Sequence, residues 1–481
     1  MATHPQWATK FRKKGTELRC INGKYYLYEV SSKWNPEKKR SQKISGKLLG
    51  KITKEDGFIE SDKAKLRKRE LTVSKLCVKE FGISAFIQDN LSDYVELLRR
   101  YFPSHWQAII VLTYARLVHQ SAFKNVEFHF LNSYLSELYP ELGISPKHIT
   151  TILREVGTER DRIVEFLREF NKAEDNVLFD GTDIFCNSKK MGLSKVSKTK
   201  RGTFDCAASI MFAFSTGLQM PVYYRVMPGN IKDIKAFRLC LEESKIKNAV
   251  VIADKGFFSE ANIEMLKQEQ LQFIVPLKRN NAHIDYSRIA TGDKKNLENY
   301  FVFENRIIWY YTISKGSELI NVYIDDELKT EESKDYLVRT QSLPEKFCIE
   351  KFHDRQYKLG TIAVLHNLEK TPEQVFIDYK SRGQVETMID TLKNELEADR
   401  SYMQNEQALE AWMLINFIAL HWYYRILQLL KAKKLNGKFS PKDLLRFLGE
   451  VRKVKINDQW HLAEITKKYA VLLNDLGINI T

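Results

Sequence analysis

Four residues near the C-terminal end of this 481-residue chain, Tyr379, Arg382, Glu386 and Lys393, follow one another at steps of three, four and seven. On a helix of 3.6 residues per turn such steps return to one side, so the four are predicted to share a face. A phenol, a guanidinium, a carboxylate and an ammonium on one face suit phosphate chemistry. The carboxylate can hold a divalent metal ion, and the cations beside it can clamp phosphate oxygens. Val385, Ile389, Leu392 and Leu396 repeat with the same spacing on a stripe about 90° away, which is predicted to pack against a core.

Two aspartates could join Glu386. Asp180 closes the run Val-Leu-Phe-Asp before Gly181-Thr182, and Asp254 closes Ala-Val-Val-Ile-Ala-Asp before Lys255-Gly256-Phe257. In α/β sheets chemistry gathers at strand ends and the loops after them. Three carboxylates converging at about 5 Å would repel by roughly 3 kcal/mol per pair at an effective dielectric near 20. A cation must offset that cost, and oxygen ligands favour Mg²⁺ or Mn²⁺. Two such ions about 4 Å apart can activate an attacking oxygen and stabilise a leaving one in phosphoryl transfer. Asp183 competes with Asp180, although strand alternation would aim the two at opposite faces. Asp390, one turn from Glu386, could assist.

Around these residues the periodicity changes along the chain. Residues 1–82 form a basic region with a strand at Lys24–Val30, a polar turn at Lys33–Arg40, an extended segment at 41–52 and a helix at 62–70. Basic side chains interleaved with tyrosines suit contact with a DNA backbone. Residues 83–171 read as helical, with one helix over 85–101, another over 105–118, and a third opening at Ser145-Pro146, a favourable helix start. Strands are predicted at 176–185, 203–215, 221–227, 249–253 and 272–276, and helices at 233–244 and 259–269, the latter capped by Ser259. Lys189, Lys190, Lys195, Lys198 and Lys200 crowd a loop between the first two strands. Three strands, helix, strand, helix, strand is an α/β order with a mixed sheet. Residues 281–366 look like a strand-rich insertion with Trp309 in an aromatic run, and helices resume at 372.

The chain carries a formal charge of +15 and has a pI near 9.2. That balance points to nucleic acid or another acidic partner. Six scattered cysteines form no Cys-x-x-Cys pair, so neither a zinc site nor a redox motif is suggested and a reducing cytoplasm fits. The first residues lack the apolar stretch of a secretory signal. The longest apolar run, 411–424, is broken by Asn416 and His421, is too short to span a bilayer, and reads as a buried helix. His119, His129 and His421 lie among apolar residues and read as core histidines.

The ordered motifs resemble those of the DDE transposases of bacterial insertion sequences, in the cut-and-paste group marked by Tyr-(2)-Arg-(3)-Glu-(6)-Lys. Tyr379, Arg382, Glu386 and Lys393 match that spacing. Asp180-Gly-Thr182 resembles the family's first acidic motif, Asp254-Lys-Gly-Phe257 the second, and Pro228-Gly-Asn230 with Asp233 a segment between them. The resemblance covers about 170–430 and implies an RNase H-like (retroviral-integrase-like) α/β catalytic core interrupted by a β-strand-rich insertion, with an N-terminal basic DNA-binding region and flanking helices. The implied domains are 1–82, basic and DNA-binding; 83–171, helical; 172–280, first part of the core; 281–366, insertion; 367–430, second part of the core with the Glu386 helix; and 431–481, C-terminal helices. Asp180, Asp254 and Glu386 would hold two Mg²⁺ ions, with Mn²⁺ able to substitute. Arg382, Lys393, Tyr379 and Lys255 would contact DNA, and Trp309 would stack on a flipped base. The implied partners are double-stranded DNA, as terminal inverted repeats and target, and a second copy in a synaptic homodimer, with no membrane. The implied place is the bacterial cytoplasm, on the nucleoid when DNA is bound. Two other readings are an RNase H-like endonuclease or resolvase without strand transfer, and a domesticated DNA-binding protein.

Overall fold

A computed structural model describes the chain except for residues 1–3, 36–39, 69–75, 172–176, 187, 189, 190, 199–203, 232, 247, 248, 254–256, 457, 479 and 481. The chain divides into two compact units: Met1–Cys77 with Val454–His461, and Val78–Lys453 with Leu462–Thr481.

The first unit is built on an antiparallel sheet of four strands, Thr16–Ile21, Lys24–Asn35, Arg40–Thr53 and Gly57–Glu60, in sequence order. Asn22 and Gly23 both have positive φ, 50° and 76°, and make the two-residue turn between the first two strands. Asn-Gly is the favoured pair there because both positions need a left-handed backbone. Ala8, Leu18, Leu27 and Ile52 form a small core, against which Trp7, Phe11, Tyr25, Leu49 and Phe58 pack. The second and third strands run further than the sequence pattern predicts. Residues 33–35 continue the second strand instead of turning, and the third begins at Arg40.

The second unit has one large mixed sheet with helices on both faces. Its centre is the ordered set Met220–Pro228, Phe204–Ser215, Val177–Cys186, Ala249–Ile252 and Gln272–Leu277, in spatial order. The first three pair antiparallel with one another in turn, and the last two run parallel to Val177–Cys186. This mixed α/β sheet has the character of an RNase H-like core. All five strands match the expected segments within a few residues. Residues directly opposite in a ladder share a face. Phe179, Ala213 and Tyr223 lie on one face, where Phe179 meets Phe237 of the Asp233–Ser244 helix with ring centroids 4.6 Å apart. Asp180, Phe212 and Tyr224 lie on the other, where Tyr224 meets Phe417 of the long Glu406–Ala432 helix at 5.2 Å.

Two sequence expectations are corrected and one is extended. Residues 281–366 are strand-rich as expected, and their strands join the core sheet. Thr361–His366 pairs with core strand Gln272–Leu277 and with Glu318–Asp325, so the sheet continues through Arg306–Lys315 to Asn299–Phe303. The region also contains the helices Asp326–Ser342 and Ile349–Arg355. Lys195–Lys198 is a short strand paired antiparallel to Phe204–Ala207 rather than loop; Lys189, Lys190 and Lys200 lie outside the described residues. The helix expected over 85–101 is two helices, Gly82–Asn90 and Ser92–Tyr101, broken at Leu91.

The apolar run 411–424 is buried within Glu406–Ala432. Its two polar residues are satisfied: His421 bonds the Tyr94 hydroxyl and the Pro221 carbonyl, and Asn416 donates to the Trp412 carbonyl at 2.7 Å. His421 is accordingly a core residue, its pKa held down to about 3 chiefly by burial. Among the described residues no helix is long and apolar enough to cross a membrane.

Candidate active site

The helix that carries the Tyr-Arg-Glu set spans Pro372–Asp390. Thr371 caps it: its hydroxyl accepts from the Gln374 N–H at 3.3 Å, while the Gln374 side chain accepts from the Thr371 N–H at 3.2 Å. Proline at the first position costs nothing, because that N–H has no partner inside a helix. Val385, Leu392 and Leu396 are buried and Ile389 is partly so, as the apolar stripe predicts.

Both ends of this helix are held. Near its start, Phe376 packs on Phe301, Phe303 and Tyr323 of the sheet extension, with ring centroids 5.3, 5.3 and 4.8 Å away. The Tyr323 hydroxyl donates to the Pro372 carbonyl at 2.7 Å. At its far end the α-helix widens into a π turn, Thr391–Glu395, with Leu396 N–H bonded to the Thr391 carbonyl at 3.1 Å. Glu397 ends the turn in the left-handed region, φ 50°, which a non-glycine residue adopts only at a cost. Arg116 is what holds it there. This arginine is 5% exposed on the Trp106–His119 helix. Its Nη2 donates to the Leu396 carbonyl and, at 3.2 Å, to that of Glu397. Nη1 reaches the Gln120 and Ser121 carbonyls at 3.1 and 3.2 Å, and Nε the Asn416 Oδ1 at 3.0 Å. Burial lowers its pKa to about 10, so it stays cationic at neutral pH, as a partner of carbonyls at a helix C-terminus should. The sequence reading missed Arg116. The signal was present, a single charge inside the apolar run 108–118.

Asp180 lies in the middle of Val177–Cys186, not at its end. Its parallel neighbour is shorter: Val251 pairs Phe179, and that strand stops at Ile252. Asp180 therefore sits where the sheet opens beside the end of the strand that leads to Asp254. Arg382 joins the described carboxylates. Its Nη2 is 2.9 Å from Glu386 Oε1 and 4.0 Å from Asp180 Oδ2. Those two oxygens are thus no more than 6.9 Å apart, the sum of the two contacts. Asp180 also accepts from the Gly181 N–H at 2.9 Å. The side chains of Asp180 and Arg382 are about one quarter exposed, and that of Glu386 is 56% exposed. Arg382 Nε is buried with no hydrogen-bond partner among the described residues. Tyr379 is half-buried on the same helix. Burial raises its pKa, Arg382 opposes the shift and Glu386 adds to it, so the phenol is neutral at working pH.

Lys393 falls inside the π turn, so the step of seven from Glu386 is not pure α-helix. A π turn winds less per residue, and such turns are frequent at functional sites. Asp254 and Lys255 lie outside the described residues. Trp309 is not brought to the carboxylates. It pairs with Tyr300, ring centroids 5.1 Å apart, and Lys294 sits 5.0 Å over its ring. By strand alternation that face is opposite the one through which Phe301 and Phe303 meet the helix. Asp183 is three residues from Asp180 and takes the other face of its strand.

Among the described residues no group of three or more His, Cys, Asp or Glu side chains converges on a metal position. Asp180 and Glu386 nevertheless fit a hard divalent ion in chemistry: both are oxygen donors from separate rigid elements, and a cation already stands between them.

A family model described as the transposase DDE domain matches residues 172–422, a little over half the chain. No curated protein matches significantly. Among solved structures, a cryo-EM structure of a piggyBac transposase synaptic complex with hairpin DNA aligns at 12% identity over 71% of this chain and 69% of that one, with a TM-score of 0.38.

Proposed function

The chain belongs to the DDE transposase family, and from that premise we propose that it is the transposase of an insertion sequence, binding terminal inverted repeats, cleaving the element's ends and joining them to target DNA. The observation that carries the reading is the Arg382 bridge, which gathers Asp180 from the sheet and Glu386 from the helix at one point.

Each residue then has a task. Asp180, Glu386 and Asp254 would be the carboxylate ligands of divalent ions. Mg²⁺ bound there would supply activation of the attacking oxygen and stabilisation of the leaving one. Arg382 offsets carboxylate repulsion in the free protein, and its guanidinium, one quarter exposed, can donate to a phosphate oxygen of the scissile strand. The neutral Tyr379 hydroxyl donates a hydrogen bond to the same backbone. Lys393, offered from the π turn, adds a positive point charge beside the cut. A water attacks the phosphodiester at the element's end and frees a 3′-OH. That hydroxyl then attacks a target phosphodiester. In each step one P–O bond forms as another breaks, so no external energy source is needed.

The test is Glu386→Gln. It should abolish Mg²⁺-dependent cleavage while leaving binding to terminal-repeat DNA intact, because the amide keeps the shape and loses the charge. Cleavage at the wild-type rate would sink the assignment. Nicking by the wild type without any joining would favour the endonuclease reading.

A further inference from the structure

The second and third strands of the first unit, Lys24–Asn35 and Arg40–Thr53, leave their sheet as a bare two-stranded ribbon. Thr16–Ile21 covers the second strand only as far as Glu29, and Gly57–Glu60 covers the third only over Gly50–Thr53. The outer part, Val30–Asn35 against Arg40–Ser45, has no third strand beside it among the described residues, and at its root the Val30 N–H donates to the Gly15 carbonyl at 2.8 Å. Every residue from Arg40 to Lys47 is exposed, as are Ser31, Ser32, Lys33 and Trp34, the last at 61%. Six residues of strand reach about 20 Å. A bulge separates this part from the root, with register shifts on either side of Tyr28. Gly46 lies at the bulge, where a Cβ would come within 2.8 Å of the Glu29 side chain. A bulge sharpens the twist of the strand pair and re-aims what lies beyond it.

The two faces of the outer ribbon differ in chemistry. Directly opposite residues share a face, and the face changes with each step along a strand. Asn35 with Arg40, Lys33 with Gln42 and Ser31 with Ile44 therefore form one face. The Asn35 amide donates to Gln42 Oε1 at 3.2 Å across it. Trp34 with Ser41, Ser32 with Lys43 and Val30 with Ser45 form the other. That second face leans on the sheet's own charges: Lys43 Nζ is 2.7 Å from Glu17 Oε1. From Val30 to Thr53 the sequence contains seven Lys or Arg residues and one acidic residue, Glu37.

We infer that this ribbon enters the major groove of duplex DNA and that its Lys33, Asn35, Arg40 and Gln42 face reads base edges. The major groove, about 12 Å wide, admits a two-stranded ribbon. Arg and Lys pair with the O6 and N7 acceptors of guanine, while Asn and Gln pair with the N6 and N7 of adenine, so this face carries the side chains that direct reading uses. Positive charge with one acid along the ribbon complements the phosphates on either side. Lys43 and Lys47 serve those phosphates, which position without specifying. The inference rests on the transposase reading for its choice of DNA as partner, and it names the element that recognises the ends.

The experiment uses the full-length protein. Sequences bound by the wild type are selected from a randomised duplex library, and the enriched duplex and a scrambled one are titrated by fluorescence anisotropy. Arg40→Ala and Lys33→Ala, both exposed and outside any core, should each weaken the enriched duplex about 5- to 150-fold and the scrambled duplex far less, so the preference collapses. Lys43→Ala should weaken both duplexes alike and reduce the salt slope by about one. Replacing the contacted guanines by 7-deazaguanine, which removes the major-groove N7, should reproduce the Arg40→Ala loss in the wild type and add little to it in the variant. Unchanged binding by Arg40→Ala and Lys33→Ala overturns the inference, and so does an equal loss on both duplexes. If the ribbon dependence holds but the enriched duplex is neither nicked nor joined in Mg²⁺, the transposase reading fails and the ribbon stands. If the wild type nicks and joins that duplex and the ribbon variants still bind normally, the ribbon fails alone.

Discussion

Arg116→Met asks whether the far end of the Glu386 helix is held by one buried cation. The substitution keeps length and apolar bulk and removes every donor. Two of the lost bonds are those from Nη2 to the Leu396 and Glu397 carbonyls. Hydrogen bonds to a charged group contribute about 1.5–3 kcal/mol each. Glu397 is exposed and its carbonyl can recover water, so the lower end applies, about 3 kcal/mol for the pair. The reporters are the Leu396 and Ala398 amides, bonded to the Thr391 and Leu392 carbonyls at 3.1 Å each. A loss of about 3 kcal/mol in local opening speeds their hydrogen exchange roughly a hundredfold. Amides of the Arg160–Arg168 helix, which share none of these bonds, should change far less. Arg116→Lys, which keeps the charge but reaches fewer acceptors, should fall between. Exchange at Leu396 and Ala398 that matches wild type, or that rises uniformly across the unit, would refute the reasoning.

Other consequences are as concrete. Lys393→Ala should weaken DNA binding and flatten the log–log salt dependence by about one phosphate contact, measured by anisotropy across a salt series; an unchanged slope removes Lys393 from the backbone contacts. Tyr379→Phe should slow cleavage without altering the shape of its pH profile, because the raised pKa keeps the phenol neutral throughout; loss of an alkaline limb would show that Tyr379 titrates in the reaction. Glu80 caps the Gly82–Asn90 helix through the Ile83 N–H and bonds Ser84, and burial raises its pKa from 4.5 to about 7. The folded state therefore binds that proton more tightly than the unfolded one. Its contribution is complete below about pH 4.5 and is lost as pH rises through about 7, at most about 3 kcal/mol. Glu80→Gln keeps an acceptor and removes the titration, so melting curves between about pH 5 and pH 8 should lose that decline; a variant that tracks wild type contradicts the assignment.

The parts of the site that could be read from sequence are those governed by local spacing. The stripe of Val385, Leu392 and Leu396 alternates with the Arg382 and Glu386 face because both obey one helical period, and the structure keeps that arrangement. The core strands were legible as short apolar or alternating runs bounded by turns. What was not legible depends on distant partners. The π turn at Thr391–Glu395 and the left-handed Glu397 need Arg116, some 280 residues away in sequence. The continuity of the extension with the core sheet depends on which edge Thr361–His366 pairs with, and nothing within that strand specifies it. Lys195–Lys198 was read as loop, and residues 33–35 of the outer ribbon as turn, because both stretches are largely polar and exposed. A strand that buries neither face shows no alternation to read.

The account turns on Asp180 and Glu386 acting together on DNA. The most direct measurement incubates purified protein, Mg²⁺ and a labelled duplex carrying the element's terminal repeat with a supercoiled plasmid, comparing wild type with Asp180→Asn. The wild type should nick the 3′ end of the repeat and join it to the plasmid, and Asp180→Asn should bind the repeat but do neither. Nicking and joining by Asp180→Asn at wild-type rates would contradict the account.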